Sequence, residues 1–235
     1  MQGIRVGRVS KTYREAGGEV RAIDTLDLTV ANGEFTVIAG PSGSGKTTLL
    51  NLVGGLDRPD TGEVFLDEFA LHAMSEAALT ELRLRRIGFV FQAFNLLPVL
   101  TVFENVQFIL QIQGIPEADH AGRILPLLKD LGLEGRENRF PPQLSGGQQQ
   151  RVAVARAMIG RPRVILADEP TANLDSENAM ALLHLMKRLN TEQEVTFLFS
   201  SHDQRVIETA RRVVRLRDGR VESDERRSGP EAAQT

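Results

Sequence analysis

One short run, Gly40-Pro41-Ser42-Gly43-Ser44-Gly45-Lys46-Thr47, constrains this chain more than any other. It fits G-x-x-x-x-G-K-T, follows the apolar run Phe35-Thr36-Val37-Ile38-Ala39, which reads as a buried strand, and opens a helix that starts at Lys46. Strand, glycine-rich loop and helix in that order make a phosphate cradle. Backbone N–H groups turn inward around a β-phosphate, and the helix N-terminus adds partial positive charge. Gly40, Ser42, Gly43, Ser44 and Gly45 supply the lining, Lys46 reaches the β/γ-phosphates, the Thr47 hydroxyl is placed to ligate Mg²⁺, and Thr48 follows in the first helical turn. The chain is expected to bind ATP or GTP.

Composition removes several other classes. At 235 residues there is room for one large domain, or for a core carrying an insertion. A net charge of −3 gives no whole-protein pull toward nucleic acid or anionic lipid. The absence of cysteine excludes disulfides and thiolate zinc sites. Met1 to Arg8 lacks the apolar centre of a signal peptide. The charge-free stretch Ile87 to Phe103 is short for a bilayer and is interrupted by Gln92, Asn95 and Pro98. It reads as a core strand, a partly buried loop and a helix start, with Phe94, Leu96, Leu97, Pro98 and Leu100 offering an apolar surface to a partner.

The first part of the chain alternates as antiparallel strands do, at Ile4, Val6 and Val9, and again over Ile23 to Val30 before the turn Ala31-Asn32-Gly33. Glu63 to Leu66 is a further strand, and Ser75 is the N-cap expected for a helix to Arg86. From about residue 75 to 158 the pattern is mostly helical, including Phe103 to Ile112, Pro116 to Leu131 and Gly146 to Met158. Pro126 is expected to kink or restart the second of these, at about 3 kcal/mol. Short apolar strands then return at Val164 to Ala167, Val195 to Phe199 and Val213 to Leu216, with helices between them, the pattern of a parallel sheet covered on both faces. The expected class is α/β: a phosphate-loop NTPase core with a parallel sheet, an N-terminal antiparallel β subdomain and an inserted helical subdomain. The core spans 1–74 and 159–225 and the insertion about 75–158. The polar residues from Glu222 to Thr235 are expected to be mobile, with a tail proper at 226–235.

Two further motifs carry chemistry. Arg163 to Ala167 is a core strand that delivers Asp168 and Glu169 to its C-terminal edge, where open α/β sheets bind ligands. Asp168 suits Mg²⁺, and Glu169, on the other side of the strand, suits orienting or deprotonating an attacking water. Leu144-Ser145-Gly146-Gly147-Gln148 opens a helix with Ser145 at the cap and makes a second anion site. Two phosphate-binding termini in apparently different subdomains are explained economically if each holds the same nucleotide from a different copy of the chain.

With these motifs on the page, the chain resembles the nucleotide-binding subunit of an ATP-binding cassette (ABC) transporter from Tyr13 to about Arg220, the Leu144 to Gln148 signature being the most specific match. The resemblance implies that Gln92 is the glutamine loop, Asn173-Leu174-Asp175 the D-loop and His202 the switch histidine. It implies catalysis by Glu169, His202, Gln92 and Lys46, and Mg²⁺ held by Thr47, Gln92 and Asp168. ATP would be contacted by Tyr13, the phosphate loop through Thr48, the residues Ser145, Gly146, Gly147 and Gln148, and Asp175. Tyr13 would stack on adenine, which contributes roughly 1–3 kcal/mol; a strand-edge aromatic is its plainer reading, a solvated loop residue that of Gln92, and a helix cap that of Asp175. His72, His120 and His184 are assigned to surface or packing.

Gly54-Gly55-Leu56-Asp57, Phe89 to Pro98 and Ala167 to Asp175 resemble the lipoprotein-release and macrolide-export ATPases, with Ala172 in place of that branch's usual glycine. The implied partners are integral membrane permease subunits and a second copy of this chain in a homodimer, with no nucleic acid, at the cytoplasmic face of the inner membrane. A soluble ABC-type ATPase acting on nucleic acid or ribosomes is the alternative; such proteins carry a long coiled-coil insertion or two cassettes, and the stretch from Gln92 to Ser145 is too short for the first.

Overall fold

The computed structural model describes residues 3–15 and 18–227. Two long strands, β1 (Gly3–Glu15) and β2 (Gly18–Ala31), precede β3 (Phe35–Ala39) and the phosphate loop, which leads into α1 (Lys46–Val53). Then come β4 (Thr61–Leu66), β5 (Phe69–Ala70), α2 (Glu76–Arg86) and β6 (Ile87–Val90). Three helices follow, α3 (Val102–Ile112), α4 (His120–Asp130) and α5 (Gly146–Met158). The chain closes with β7 (Val164–Ala167), α6 (Ser176–Gln193), β8 (Thr196–Ser201), α7 (Gln204–Thr209), β9 (Arg212–Arg217) and β10 (Arg220–Arg226).

These strands form two sheets. The first is antiparallel, in the order β2-β1-β4-β5; the second runs β10-β9-β3-β8-β7-β6, parallel from β9 to β6 with β10 antiparallel at its edge. Helix α1 lies between the sheets: Leu49, Leu52 and Val53 share one core with Val6, Ile23 and Val30 of the first sheet and Ile38, Leu166 and Leu198 of the second. The opposite face of the second sheet, through Val37, Ile165, Phe197 and Phe199, packs on α3 to α6. Because both faces are covered, β3, β7 and β8 are buried along their whole length, which is why they read as unbroken apolar runs.

Four expectations need correction. The division of a core at 1–74 and 159–225 from an insertion at about 75–158 does not follow the sheet: β6, the strand expected within that stretch, pairs with β7, so the core sheet takes its edge strand from the expected insertion. The expected helix from Pro116 begins only at His120, after a 3₁₀ turn at Glu117–Asp119. Pro126 neither breaks nor restarts α4. Gly122 and Pro126 are both exposed, so the carbonyl that loses its donor is on the solvent side, where water replaces the bond. Finally, Glu222 to Arg226 are not a mobile tail; they complete β10, an edge strand whose polarity conceals it. Asp224 of β10 accepts two bonds from Arg212, a nearly buried guanidinium that also donates to Glu34 and the Thr29 carbonyl. The rest of the expected tail, 228–235, lies outside the described residues.

Candidate functional site

The order β3-β8-β7-β6 decides what the site contains. Each parallel strand delivers a motif at its C-terminal end: the phosphate loop follows β3, His202 follows β8, Asp168 and Glu169 follow β7, and Gln92 follows β6. Sequence-distant residues therefore meet along one edge, as in other open α/β sheets.

Within the phosphate loop, Gly45 adopts φ 99°, and a Cβ there would lie 2.4 Å from the Ala22 carbonyl of β2. Only glycine fits where the first sheet presses on the loop. The Lys46 ammonium is 7% exposed as a residue, donates to the carbonyls of Gly40 (2.8 Å) and Pro41 (3.0 Å), and lies 3.7 Å from Glu169 Oε1. Ser44 is buried, and its hydroxyl has no partner among the described residues. Ser42 and Gly43 are exposed at the loop's outer turn.

Thr47 Oγ1 donates to Asp168 Oδ2 at 2.8 Å, so two hard oxygen ligands converge at the mouth of the loop. The described residues hold no cluster of three or more His, Cys, Asp or Glu suited to a metal. A hydroxyl and a carboxylate are the kind of oxygen donors that Mg²⁺ takes, one or two from protein with the rest of its shell from phosphates and water. Glu169 has φ 46°, a left-handed conformation that costs a non-glycine residue on the order of 1–3 kcal/mol. Its carboxylate is 3.0 Å from His202 Nδ1, with Oε1 shared between the imidazole and Lys46.

Tyr13 lies on β1, with its hydroxyl donating to Asp57 Oδ2 at 2.7 Å and Lys11 Nζ 5.3 Å from the ring centroid. Burial first, and the bond to Asp57 second, push the Tyr13 phenol up to about 12. Burial would raise Asp57, but bonds from Lys11, Tyr13 and the Arg58 N–H outweigh it and hold its carboxyl below the usual range. Thr48, in the first turn of α1, acts in the opposite direction and lowers the phenol slightly.

Ser145 to Gln148 stand apart from this cluster. Ser145 Oγ accepts from the Gln148 N–H at 3.3 Å, and the Gln148 side chain accepts from the Ser145 N–H at 3.1 Å, a closed capping box. Gly147 is buried, and a Cβ there would lie 2.9 Å from Asn178 Oδ1. Its lack of a side chain lets α5 approach α6. Among the described residues no hydrogen bond or ion pair joins Ser145 to Gln148 with Gly40 to Thr48. Asp175 caps α6, accepting from the N–H and side chain of Asn178, and the Asn178 bonds hold its carboxyl below the ordinary range. Gln92 is exposed, and its carbonyl accepts from Asn173 Nδ2 at 2.8 Å, joining the glutamine loop to the segment before Asp175.

Between Leu97 and β6 a cavity of about 440 Å³ is lined by Leu84, Phe89, Phe91, Leu97 and Phe108. Leu97 and Phe108 are each about 40% exposed. Phe94 and Asn95 both have left-handed backbones, and their carbonyls accept from the Arg156 guanidinium at 3.0 and 2.6 Å. Burial pushes Arg156 below its ordinary value, so this cation is spent on holding the loop. A larger cavity, about 1070 Å³, opens beside Arg123, Arg161 and Asn190 and includes none of the site residues.

The structure thus gathers Lys46, Thr47, Asp168, Glu169 and His202, places Tyr13 on β1 with its hydroxyl on Asp57, and packs the Ser145–Gln148 turn against Asn173 and Asn178 on either side of Asp175. Sequence reading missed Ser200, Arg156 and Asp57. Only Asp57 had a signal, standing in the Gly54-Gly55-Leu56-Asp57 run; the other two read as ordinary strand and helix residues. His72 and His120 are packing residues, bonded to Val64 and to Gln107 and the Ile115 carbonyl respectively.

Comparison with known proteins agrees with this geometry. A family model described as ABC transporter matches residues 23–172, more than half of the chain. An uncharacterized ABC transporter ATP-binding protein of Methanocaldococcus jannaschii, MJ0796, is 44% identical over 96% of this chain and 98% of its own length. A macrolide export ATP-binding/permease protein, MacB, of Syntrophobacter fumaroxidans is 44% identical over 95% of this chain, which spans only 32% of that protein. The dimeric post-hydrolysis state of MJ0796 bound to ADP and Pi superposes with a TM-score of 0.89 at 42% identity, covering 96% of this chain and 99% of that one.

Proposed function

This chain belongs to the ABC transporter family and is an ATPase, and from that premise we propose that two copies clasp ATP head to tail and drive a membrane permease. Each nucleotide is held between the Lys46 loop of one copy and the Ser145 helix of the other. The observation that carries this reading is the separation of two phosphate-binding termini within one chain, the second with its cap satisfied only by itself. The dimeric, product-bound state of the similar cassette supports it. ATP has a large differential affinity for the closed pair, because its γ-phosphate meets both termini only there, and that difference is what shifts a conformation.

The residues take the following roles. Tyr13 stacks on the base, the loop N–H groups and Lys46 hold the phosphates, and Glu169 orients and deprotonates the attacking water. His202 holds Glu169 through Nδ1 and stabilises the phosphoryl group with Lys46. Thr47 and Asp168, with Gln92 from the loop after β6, would hold Mg²⁺, which when bound would neutralise phosphate charge. Lys46 must leave Glu169 to reach a phosphate, so nucleotide binding releases the carboxylate for its task.

The apolar cavity beside Leu97 and Phe108 is the seat for the permease, and Arg156 connects it to α5, the helix that begins at Ser145. Movement of the signature helix is thereby passed to the partner-facing loop. Likeness to a macrolide export protein supports an export or lipoprotein-release permease that transmits motion mechanically. No helix among the described residues is long and apolar enough to cross a membrane, so the chain would attach to the cytoplasmic face of the inner membrane through that permease. Glu169→Gln tests the clasp: hydrolysis should fall about 10²- to 10⁴-fold while ATP accumulates a dimer in size-exclusion chromatography. A variant that stays monomeric with ATP and Mg²⁺ overturns it.

A further inference from the structure

Ser200 is completely buried near the end of β8, paired with Ile38 of β3 and one position beyond the core residue Phe199. A buried hydroxyl in such a strand is costly unless both its donor and its acceptor are used. Both are used here, and both on the acidic pair. Ser200 Oγ donates to Asp168 Oδ1 at 2.6 Å and accepts the Glu169 N–H at 2.8 Å. Asp168 Oδ2 is left facing Thr47 Oγ1, so the two carboxylate oxygens are divided between the strand behind and the loop in front. The peptide joining Asp168 to Glu169 is gripped just where the backbone turns left-handed, at Glu169 φ 46°.

We propose that Ser200 is a positioning residue, whose one hydroxyl fixes the rotamer of Asp168 toward the Thr47 side and holds the strained backbone that aims Glu169 at Lys46 and His202. This rests on the reading of Asp168 and Glu169 given above. Neither Oγ contact faces the phosphate loop, so Ser200 acts on the metal ligand and the base without touching nucleotide. Its loss therefore separates two quantities that loss of Lys46 removes together: nucleotide affinity without metal, which Ser200 leaves alone, and metal affinity with turnover, which it sets. Residues that orient a ligand from behind alter metal affinity or activity by roughly 10- to 100-fold.

The test is a matched pair, Ser200→Thr and Ser200→Val, which add the same volume and differ only in the hydroxyl. Metal-free ATP binding is measured by equilibrium dialysis with chelator, Mn²⁺ binding to the ATP-loaded protein by electron paramagnetic resonance, and kcat and KM by phosphate release. In Ser200→Val, metal-free ATP affinity should stay within about twofold of wild type, while Mn²⁺ affinity and kcat fall roughly 10- to 100-fold; Ser200→Thr should restore both. Equal Mn²⁺ affinity and equal kcat in the pair overturn the proposal. If the added methyl unfolds both variants, Ser200→Ala against wild type decides by the same Mn²⁺ titration, wild-type affinity counting against the role. Wild-type hydrolysis in Glu169→Gln would instead refute the assignment of the base, and the Mn²⁺ comparison would still judge Ser200.

Discussion

The two helix termini to which phosphate binding is proposed, at Lys46 and at Ser145, are built on opposite plans. Around the Lys46 loop, the polar groups are already bonded to one another: Thr47 to Asp168, Asp168 to Ser200, Ser200 to the Glu169 backbone, and the Glu169 carboxylate to His202. At Ser145 the cap closes on Gln148 three residues away and on nothing else in the site. The first region is organised by a sheet that brings four strand ends side by side. The second is organised by one helix, whose first turn is closed by its own capping box. On the proposed clasp, preorganisation within a copy and dependence on another copy would fall to different parts of the chain, so that chemistry stays fixed while association is switched.

Breaking the first region should have the larger effect. Lys46→Ala removes the cation that meets both the loop carbonyls and Glu169, and turnover should fall about 10²- to 10³-fold, with ATP affinity reduced in the isolated subunit. Near wild-type phosphate release from that variant would place the activity elsewhere. Ser145→Ala tests the second region and should divide differently. Losing one hydrogen bond to a charged phosphate, about 1.5–3 kcal/mol, predicts a roughly 10- to 100-fold loss of turnover and of ATP-driven dimer. ATP binding to the dilute single subunit should be unchanged. If Ser145→Ala leaves both dimer and turnover intact, or if wild-type turnover per molecule does not fall on dilution, the contrast between the two regions is lost.

Sequence legibility followed the same contrast. Residues that form local patterns were readable: the loop from Gly40 to Thr47, the strand ending in Asp168 and Glu169, and the Ser145 cap each announce themselves within a few positions. Contacts made through strand order were not. Ser200 is a serine in an apolar strand, and its meaning depends on β8 lying between β3 and β7, which nothing in its neighbourhood specifies. Arg156 lies on a helix whose small and apolar neighbours suggest packing, yet its guanidinium reaches back to Phe94 and Asn95. The strand β6 was read correctly as a strand but assigned to the helical insertion, because chain order gives no sign that it pairs with β7. β10 escaped for a different reason: an edge strand open to solvent needs few apolar residues, and Asp224 hides its role as a partner for Arg212.

The finest test of the contrast uses a residue at the margin of the organised region. Tyr13 is the only tyrosine and the chain has no tryptophan, so tyrosinate absorbance reports this one position. The folded phenol should titrate at about 12, against an ordinary value of about 10 in the unfolded chain. Between those values the folded state binds more protons than the unfolded one. The contribution of Tyr13 to stability is therefore fully present below about pH 10 and is lost as pH rises through about 12. Asp57→Asn removes the charged acceptor but not the burial that is the larger cause, so the titration should move only part of the way back toward 10. Because the ring would still be held by its strand, where Tyr13 pairs with Val20, ATP should bind within a few-fold of wild type, whereas Tyr13→Ala should lose roughly 1–3 kcal/mol of base stacking. A Tyr13 that titrates at its ordinary value in the folded protein would mean that the base-binding edge is not prearranged, and the organised region would then end at α1.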